Sequence, residues 1–516
     1  MPRSSLLRDL QRFALHAEIE RAPPLGRRGF LAGAGAALLV PALPALAAAE
    51  ARVAIVGAGL AGLAAARSLR RAGLSPVIFE AATRMGGRCV TNRDSFGPDQ
   101  IAERGAEFID SGHTAMRRLA GELGLVLDDV RADEPAGTRA IYWLDGRPYT
   151  KAQATRDFAA IWPILRAQQR AVGPVVTYRH ATKAARTLDR ISAGAWIGRH
   201  VPGGRASGLG RLLASAIAEE NAADADAQSA LSLVGVFAVT PRDDFTLYDA
   251  ASDQRFHVRG GNDQIVRRLA DDFANRIEPA SALIAIEAKP GRPCRLVFAR
   301  DGATVERVFD RVILALPFAV MRGSVDLARS GFRPLKRRAI ATLAMGRSVK
   351  LHGQFDRRVW HASGCSGEVR IDDGPFQTSW DATRAQHGDG GLLAFWSGGS
   401  VAGRAGGLAG GPGSAAEALA ASMRAAEPAL AGLAQHWTGK VAREVWETNP
   451  FSRGSYSYAA PGYLTEVYGI EREPEGACHF AGEHTADDQA FGYMESAVVT
   501  GQRAAREVIQ ALARRG

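Results

Sequence analysis

The stretch "ARVAIVGAGLAGLAAARSLRRAGLSPVIFEA", residues 51–81, limits the possible folds more than any other part of the chain. Val53 to Val56 form an unbroken apolar run, the pattern of a parallel strand buried on both faces. Gly57, Gly59 and Gly62 follow with GxGxxG spacing and lead into a helical pattern. The first glycine permits a tight turn, the second lets backbone approach a pyrophosphate, and the third lets helix and strand pack closely. The helix start adds unpaired N–H groups and the positive end of a dipole. Glu80 ends the second strand, where a carboxylate can bond a ribose hydroxyl. Together these predict an α/β, Rossmann-like domain that binds a dinucleotide, with NAD and FAD both open.

A chain of 516 residues suggests two or three domains. Its formal charge of +10 is spread over 64 basic and 54 acidic residues without a long Lys/Arg block, which argues against a nucleic-acid partner. Cys89, Cys294, Cys365 and Cys478 show no CxxC pair and no histidine at metal spacing, so neither a metal site nor a disulfide framework is expected. At the N-terminus, "LGRRGFLAGAGAALLVPALPALAAAE" joins Arg27 and Arg28 to an apolar, Ala/Gly-rich run, and resembles a twin-arginine export signal. Pro41, Pro44 and the glycines weaken the competing reading as a spanning helix. Ala45–Ala47 and Ala47–Ala49 are candidate cleavage sites. Residues 1–49 are therefore expected to direct a folded, cofactor-loaded protein to the twin-arginine machinery, for a periplasmic or secreted location.

"ATRMGGRCVT" places Arg84, Gly86, Gly87 and Arg88 just past the second strand and resembles the RxGGR signature of the flavin-containing amine oxidase family. Five further segments resemble that family in order: "IAERGAEFIDSGH" (101–113), "FHVRGGNDQIVRRLA" (256–270), "SALIAIEA" (281–288), "DRVILALPFAVMRG" (310–323) and "HFAGEHTADDQAFGYMESAVVTGQRAA" (479–505). The resemblance implies FAD. It puts Gly87 and Arg88 at the diphosphate, Leu283 at the adenine, Gly105 and Ala106 beneath the flavin ring, Gly482 and Glu483 at the ribitol, and the N–H near Met494 at the ring's O2 edge. Two departures are Ala82, where many relatives carry an arginine, and Ser496 in place of a glycine. The implied architecture is discontinuous: an FAD-binding domain from 50–115, 255–330 and 440–516, and a mixed α+β substrate domain from 116–254 and 331–439. Within the latter, "SGLGRLLASAIAEENAA" has helical spacing, "SVKLHGQF" and "GGLLAFWS" read as strands, and a helix is expected over about 414–432. The glycine-rich run 398–417 reads as a loop.

The same resemblance implies a chemistry: removal of a hydride equivalent from the carbon beside an amine nitrogen to flavin N5, then hydrolysis of the imine. Lys350 matches the family lysine that holds a water at N5, and Trp446 the tryptophan beside the ring. Tyr456 and Tyr493 match the facing rings of an aromatic cage, which steer the amine and exclude water. In "RGSYSYAAPGY" (453–463) the alternation puts Tyr458 on the face of Tyr456, packing or lining the cofactor pocket. Ser455 stands where monoamine oxidases carry the flavin-linked cysteine, which implies noncovalent FAD. Asp110 matches an acid that binds a distal ammonium in some polyamine oxidases; it reads equally as a cap for a helix starting near Thr114. The stretch 107–110 lacks the arginine with which L-amino-acid oxidases bind a carboxylate. An amine or diamine substrate is therefore expected, with an L-amino acid the alternative should Arg370 or Arg384 reach a carboxylate. Dioxygen or an electron carrier is the expected acceptor, and a homodimer is an allowed assembly.

Overall fold

A computed structural model describes residues 51–514 except 98, 237–252, 290, 408–410, 412 and 488–490; the twin-arginine-like segment lies outside the described residues. Five strands form a parallel sheet in the order Cys478–Phe480, Arg311–Leu314, Val53–Val56, Val77–Phe79 and Ile277–Glu278. The apolar run at 53–56 is needed because this sheet is covered on both faces. Val53 and Ile55 pack with the helices Leu60–Arg71 and Met494–Ala513, while Ala54 and Val56 face Phe79, Phe298 and Phe309 on the other side. Each such Val or Ile contributes about 1.5–3 kcal/mol by leaving water. The two helices approach so closely that a Cβ on Gly501 would collide with the Ala61 carbonyl. Strands Ala282–Glu287, Cys294–Arg300 and Ala303–Phe309 form an antiparallel sheet whose Phe298 stacks on Phe79 with ring centroids 4.1 Å apart.

A second large sheet has seven strands in the order Trp437–Val445, Ser348–Phe355, Gly391–Gly398, Thr378–Asp381, Cys365–Ile371, Arg139–Leu144 and Arg147–Pro148. A layer of helices stands beside it, including Lys151–Val172, whose N-terminus is fixed by a Thr150/Gln153 capping box, and Gly208–Asn221, capped by Ser207. The strand Trp437–Val445 pairs with Ser348–Phe355, so residues 440–445 sit in this sheet and not, as the sequence boundary has it, with the parallel one. The helix expected over 414–432 is shorter, Ala415–Ala426, because Ser414 and Glu417 cap its start and Gly432 takes a left-handed φ of 87° beyond it. Part of the glycine-rich run is a helix, Gly399–Ala405, entered through the left-handed Gly399 and anchored where Asp224 accepts from the N–H and Oγ of Ser400. The alternating serines and tyrosines form only the two-residue strand Ser457–Tyr458, paired with Ala344–Met345.

Candidate functional site

The glycine turn after Val56 opens onto a cavity of about 660 Å³ that runs between the parallel sheet and the seven-stranded one. Gly57 has φ 104°, and a Cβ there would stand 2.8 Å from the Ala315 carbonyl oxygen. A Cβ on Gly62 would collide with the Gly57 carbonyl, whereas one on Gly59 would meet no protein atom within 4 Å. Gly59 therefore faces the open cavity, at the start of a helix that has no side-chain cap. Glu80 is buried beside it, accepting from the N–H of Ala58 at 2.8 Å and of Ala82 at 2.9 Å. Burial pushes its carboxyl up against the pull of those hydrogen bonds. The Gly86 N–H donates to the Ala58 carbonyl at 2.9 Å, and Gly87 follows with φ 57°. Arg84 lies exposed at the rim and donates to the Gly87 carbonyl at 2.9 Å.

Arg88 ties this cradle to the C-terminal segment, donating to the Ser455 carbonyl at 2.5 Å and to Glu483 Oε1 at 2.9 Å. Glu483 also accepts from Ser457 Oγ at 3.1 Å and from the Gly492 N–H at 2.8 Å. Gly482 beside it has φ 125°, a backbone shape that suits glycine. The Leu283 side chain packs in the core opposite Phe298, which leaves only the backbone of its strand to meet an adenine. The chain just before it approaches Glu80 by backbone alone, the Ser281 N–H donating to the Glu80 carbonyl at 2.8 Å.

Gly105 sits where a Cβ would collide with the Arg88 carbonyl and stand 2.8 Å from Trp446 Cζ2. The Ala106 N–H donates to that same Arg88 carbonyl at 3.1 Å, which holds this segment flat along the cavity floor. Trp446 is buried and donates its Nε1–H to the Arg104 carbonyl at 2.9 Å. Lys350 reaches the floor from the seven-stranded sheet. Its Nζ donates to the carbonyls of Glu103 at 3.1 Å and Gly105 at 2.8 Å and to Glu107 Oε2 at 2.5 Å. Glu107 Oε1 accepts from Trp380 Nε1 at 2.8 Å. Burial pushes Glu107 up, but the Lys350 ammonium and the hydrogen bonds outweigh it and keep its carboxyl below the usual range. Glu103 is pushed up to about 8 by burial, although Asn262 and Thr91 donate to it.

The two cage tyrosines both line the cavity, and their hydroxyls rest on consecutive residues at the end of the Gly208–Asn221 helix. Tyr456 donates to the Glu219 carbonyl at 3.0 Å, and Tyr493 to Glu220 Oε1 at 3.4 Å. The Tyr493 ring lies edge-on to His113 with centroids 5.2 Å apart. Met494 is the first residue of the Met494–Ala513 helix and also lines the cavity. Tyr458, by contrast, is half-buried against Ala344 and does not line it, because the ladder that would carry the alternation ends after two residues. The Ser455 hydroxyl donates to the Gly346 carbonyl at 3.0 Å.

Asp110 is buried at the cavity wall, where its Oδ1 accepts from the Gln254 N–H at 2.6 Å. It does not cap the helix Thr114–Glu122: Glu495 does so from a distant element, accepting from the N–H groups of Ala115 at 2.9 Å and Met116 at 2.7 Å. Arg370 is fully buried between Glu219 and Glu368 and also donates to Thr378 Oγ1 at 2.7 Å. Arg384 pairs with Glu134 at 2.5 Å and lies 5.5 Å over the Phe108 ring. Sequence reasoning missed the contact of Glu107 with Lys350 and the role of Glu219 and Glu220 under the phenols. The signal available was two adjacent acids ending an apolar helix, "AIAEEN", which is unusual for a pair buried in a core.

These residues fit the FAD that the resemblance implies. The helix N-terminus and the bare face of Gly59 leave room for a diphosphate, the Glu80 carboxyl lines the cavity beside them, and the cavity has the volume of a cofactor pocket. The family model described as "Flavin containing amine oxidoreductase" matches residues 60–509. A Mycobacterium tuberculosis protein, AofH, assigned by name to the flavin-containing monoamine oxidases, is 29% identical over 469 residues, covering 88% of this chain and 96% of its own. Among solved structures, a triple mutant of putrescine oxidase matches with a TM-score of 0.75 at 24% identity, covering 89% of this chain and 99% of its own. Cyclohexylamine oxidase from Brevibacterium oxydans matches with a TM-score of 0.74 at 22% identity, covering 90% and 99%.

Proposed function

Because the chain belongs to the flavin-containing amine oxidoreductase family and is an FAD-dependent amine oxidase, we propose that it deaminates a primary amine or diamine, with aldehyde, ammonia and hydrogen peroxide as products. The observation that carries the choice of substrate is the state of the arginines. Arg370 is held by Glu219 and Glu368, and Arg384 by Glu134, so neither is set out for a substrate carboxylate. The names of the two solved neighbours, oxidases of putrescine and of cyclohexylamine, point the same way.

Bound in the cradle, FAD supplies the two-electron acceptor for the carbon beside the amine nitrogen. Gly57, Gly59 and the start of the Leu60–Arg71 helix would hold its diphosphate, Glu80 its ribose and Glu483 its ribitol. Tyr456 and Tyr493 are fixed through their hydroxyls, so their rings stand as walls that orient the amine and exclude water. A dry aromatic wall also favours the neutral amine, the form that can give up a hydride equivalent. Trp446, held by the Arg104 carbonyl, keeps the floor segment in place beneath the ring. With Ser455 in place of a thiol, the cofactor is noncovalent, so acid precipitation should release the yellow colour into the supernatant.

A peroxide assay over primary amines, diamines and L-amino acids tests the proposal. Turnover of amines supports it; activity confined to amino acids replaces it with an L-amino-acid oxidase. Bleaching of the flavin by amine without peroxide would mean a dehydrogenase that serves an electron carrier. Arg27 and Arg28 further support export of the loaded enzyme, and finding it only in the cytoplasm would overturn that part.

A further inference from the structure

Three N–H bonds of the Lys350 ammonium meet three protein acceptors, and the third, Glu107, is a full carboxylate only 2.5 Å away. Glu107 is itself fixed from its other oxygen by Trp380 at 2.8 Å, so the pair is rigid and buried. The titratable groups facing it are Lys350, Glu103, His352 and His257. Burial, reinforced by the Lys350 cation, holds His352 down at about 4, and burial holds Glu103 up at about 8. Both are therefore neutral at pH 7, which leaves one cation against one carboxylate. Dioxygen becomes hydrogen peroxide by taking up two electrons and two protons from the reduced cofactor, and negative charge develops on it first. An unpaired ammonium beside that site would stabilise the developing charge; a carboxylate in contact with the ammonium cancels most of that field.

We propose that Glu107 is a positioning residue that pins and neutralises Lys350, and thereby restrains the transfer of electrons from the reduced cofactor to dioxygen. The proposal rests on the reading of this cleft as an FAD-dependent amine oxidase site. It concerns the acceptor half of the reaction, so it is tested without any amine. The holoenzyme is reduced anaerobically with dithionite and mixed with air-saturated buffer, and the return of flavin absorbance is timed. Glu107→Gln should reoxidise roughly tenfold faster than the parent, and the midpoint potential of its flavin should rise. Lys350→Met should reoxidise more slowly; without the ammonium, burial protonates Glu107, so in that background Glu107→Gln should change neither rate nor potential. A parent rate in Glu107→Gln, or the same acceleration in the Lys350→Met background, would overturn the proposal. If Glu107→Gln alone does not fold because it strands a buried ammonium, recovery of folding in the double variant supports the pairing. The kinetic comparison then uses Glu107→Asp, whose shorter side chain draws the charge back from the ammonium: reoxidation faster than the parent supports the proposal, and a parent rate overturns it. A chain that bleaches with no amine would still give these rates, so the two readings fail separately.

Discussion

Where the cleft meets the parallel sheet, it is shaped by backbone that only glycine permits; where it meets the seven-stranded sheet, it is shaped by charged side chains far apart in sequence. At the first end, Gly57, Gly62 and Gly105 each stand where a Cβ would press on a carbonyl. At the second, Arg370 and Glu219 are 151 residues apart, and Tyr493 and Glu220 are 273 apart. The first end is built for any bound diphosphate, because backbone N–H groups read charge and shape without regard to what lies beyond. The second end is where selectivity is expected, because there two phenols held by a distant helix line the cavity.

The sharpest way to break the contrast is within the glycines themselves. Gly62→Ala should destabilise the apoprotein by more than about 4 kcal/mol or prevent folding, since its Cβ meets the Gly57 carbonyl in a turn that cannot yield. Gly59→Ala should leave the melting temperature of the apoprotein unchanged while weakening FAD retention, since its Cβ meets only the cavity. Thermal unfolding with and without added FAD distinguishes them. Equal apoprotein stability in the two variants would mean that the cradle is not set by backbone contact. At the opposite end, Arg370→Met should cost about 3–5 kcal/mol, because it leaves Glu219 and Glu368 buried without their cation. Denaturant unfolding reads this directly, and a change below 1 kcal/mol would show that the network is solvated.

This difference also explains what could be read from the residues alone. Gly57, Gly59, Gly62, Glu80 and Arg88 are legible because a turn, a close approach and a helix start impose residue types at short, fixed spacing. The strands Val53–Val56 and Ser348–Phe355 are legible from their apolar content and alternation. Glu107 under Lys350 lies 243 residues from its partner, and no local pattern predicts such a pair. The alternation at 455–458 misleads for a related reason: its period of two is real, but only Ser457 and Tyr458 find a partner strand. Asp110 looks like a helix cap because caps are local, whereas Glu495 caps that helix across a separation of 380 residues.

Glu103 sits between the two ends, hydrogen-bonded to Thr91 and Asn262 on the cradle side and next to Glu107 and Lys350 on the other. Burial pushes its carboxyl up to about 8 in the folded chain, against an ordinary value of 4.5. The folded state thus binds a proton that the unfolded chain releases, and stability from this group is complete below pH 4.5 and lost as pH rises toward 8. Replacing it removes that loss. Glu103→Gln should therefore be more stable relative to the parent at pH 8 than at pH 5, by about 3–4 kcal/mol. Denaturation curves at the two pH values check this, and parallel pH profiles would mean that Glu103 is ionised in the folded protein.

The smallest expected effect tests whether the phenols are walls or anchors. Tyr456 donates at 3.0 Å to a backbone carbonyl, Glu219, that cannot move without its helix, while Tyr493 donates at 3.4 Å to a side chain, Glu220. A hydrogen bond of the first kind contributes about 1 kcal/mol, and the longer one less. Tyr456→Phe should accordingly lower stability by about 1 kcal/mol and raise the KM for amine with little change in kcat, since the ring stays but its tilt is freed. Tyr493→Phe should do less on both counts, because its ring remains packed on His113. If Tyr493→Phe proves the more damaging, the Glu220 contact must tighten when substrate enters. The acids at the end of the Gly208–Asn221 helix would then belong to the moving part of the site, and the line between a fixed cradle and an adaptable substrate end would run between the two tyrosines.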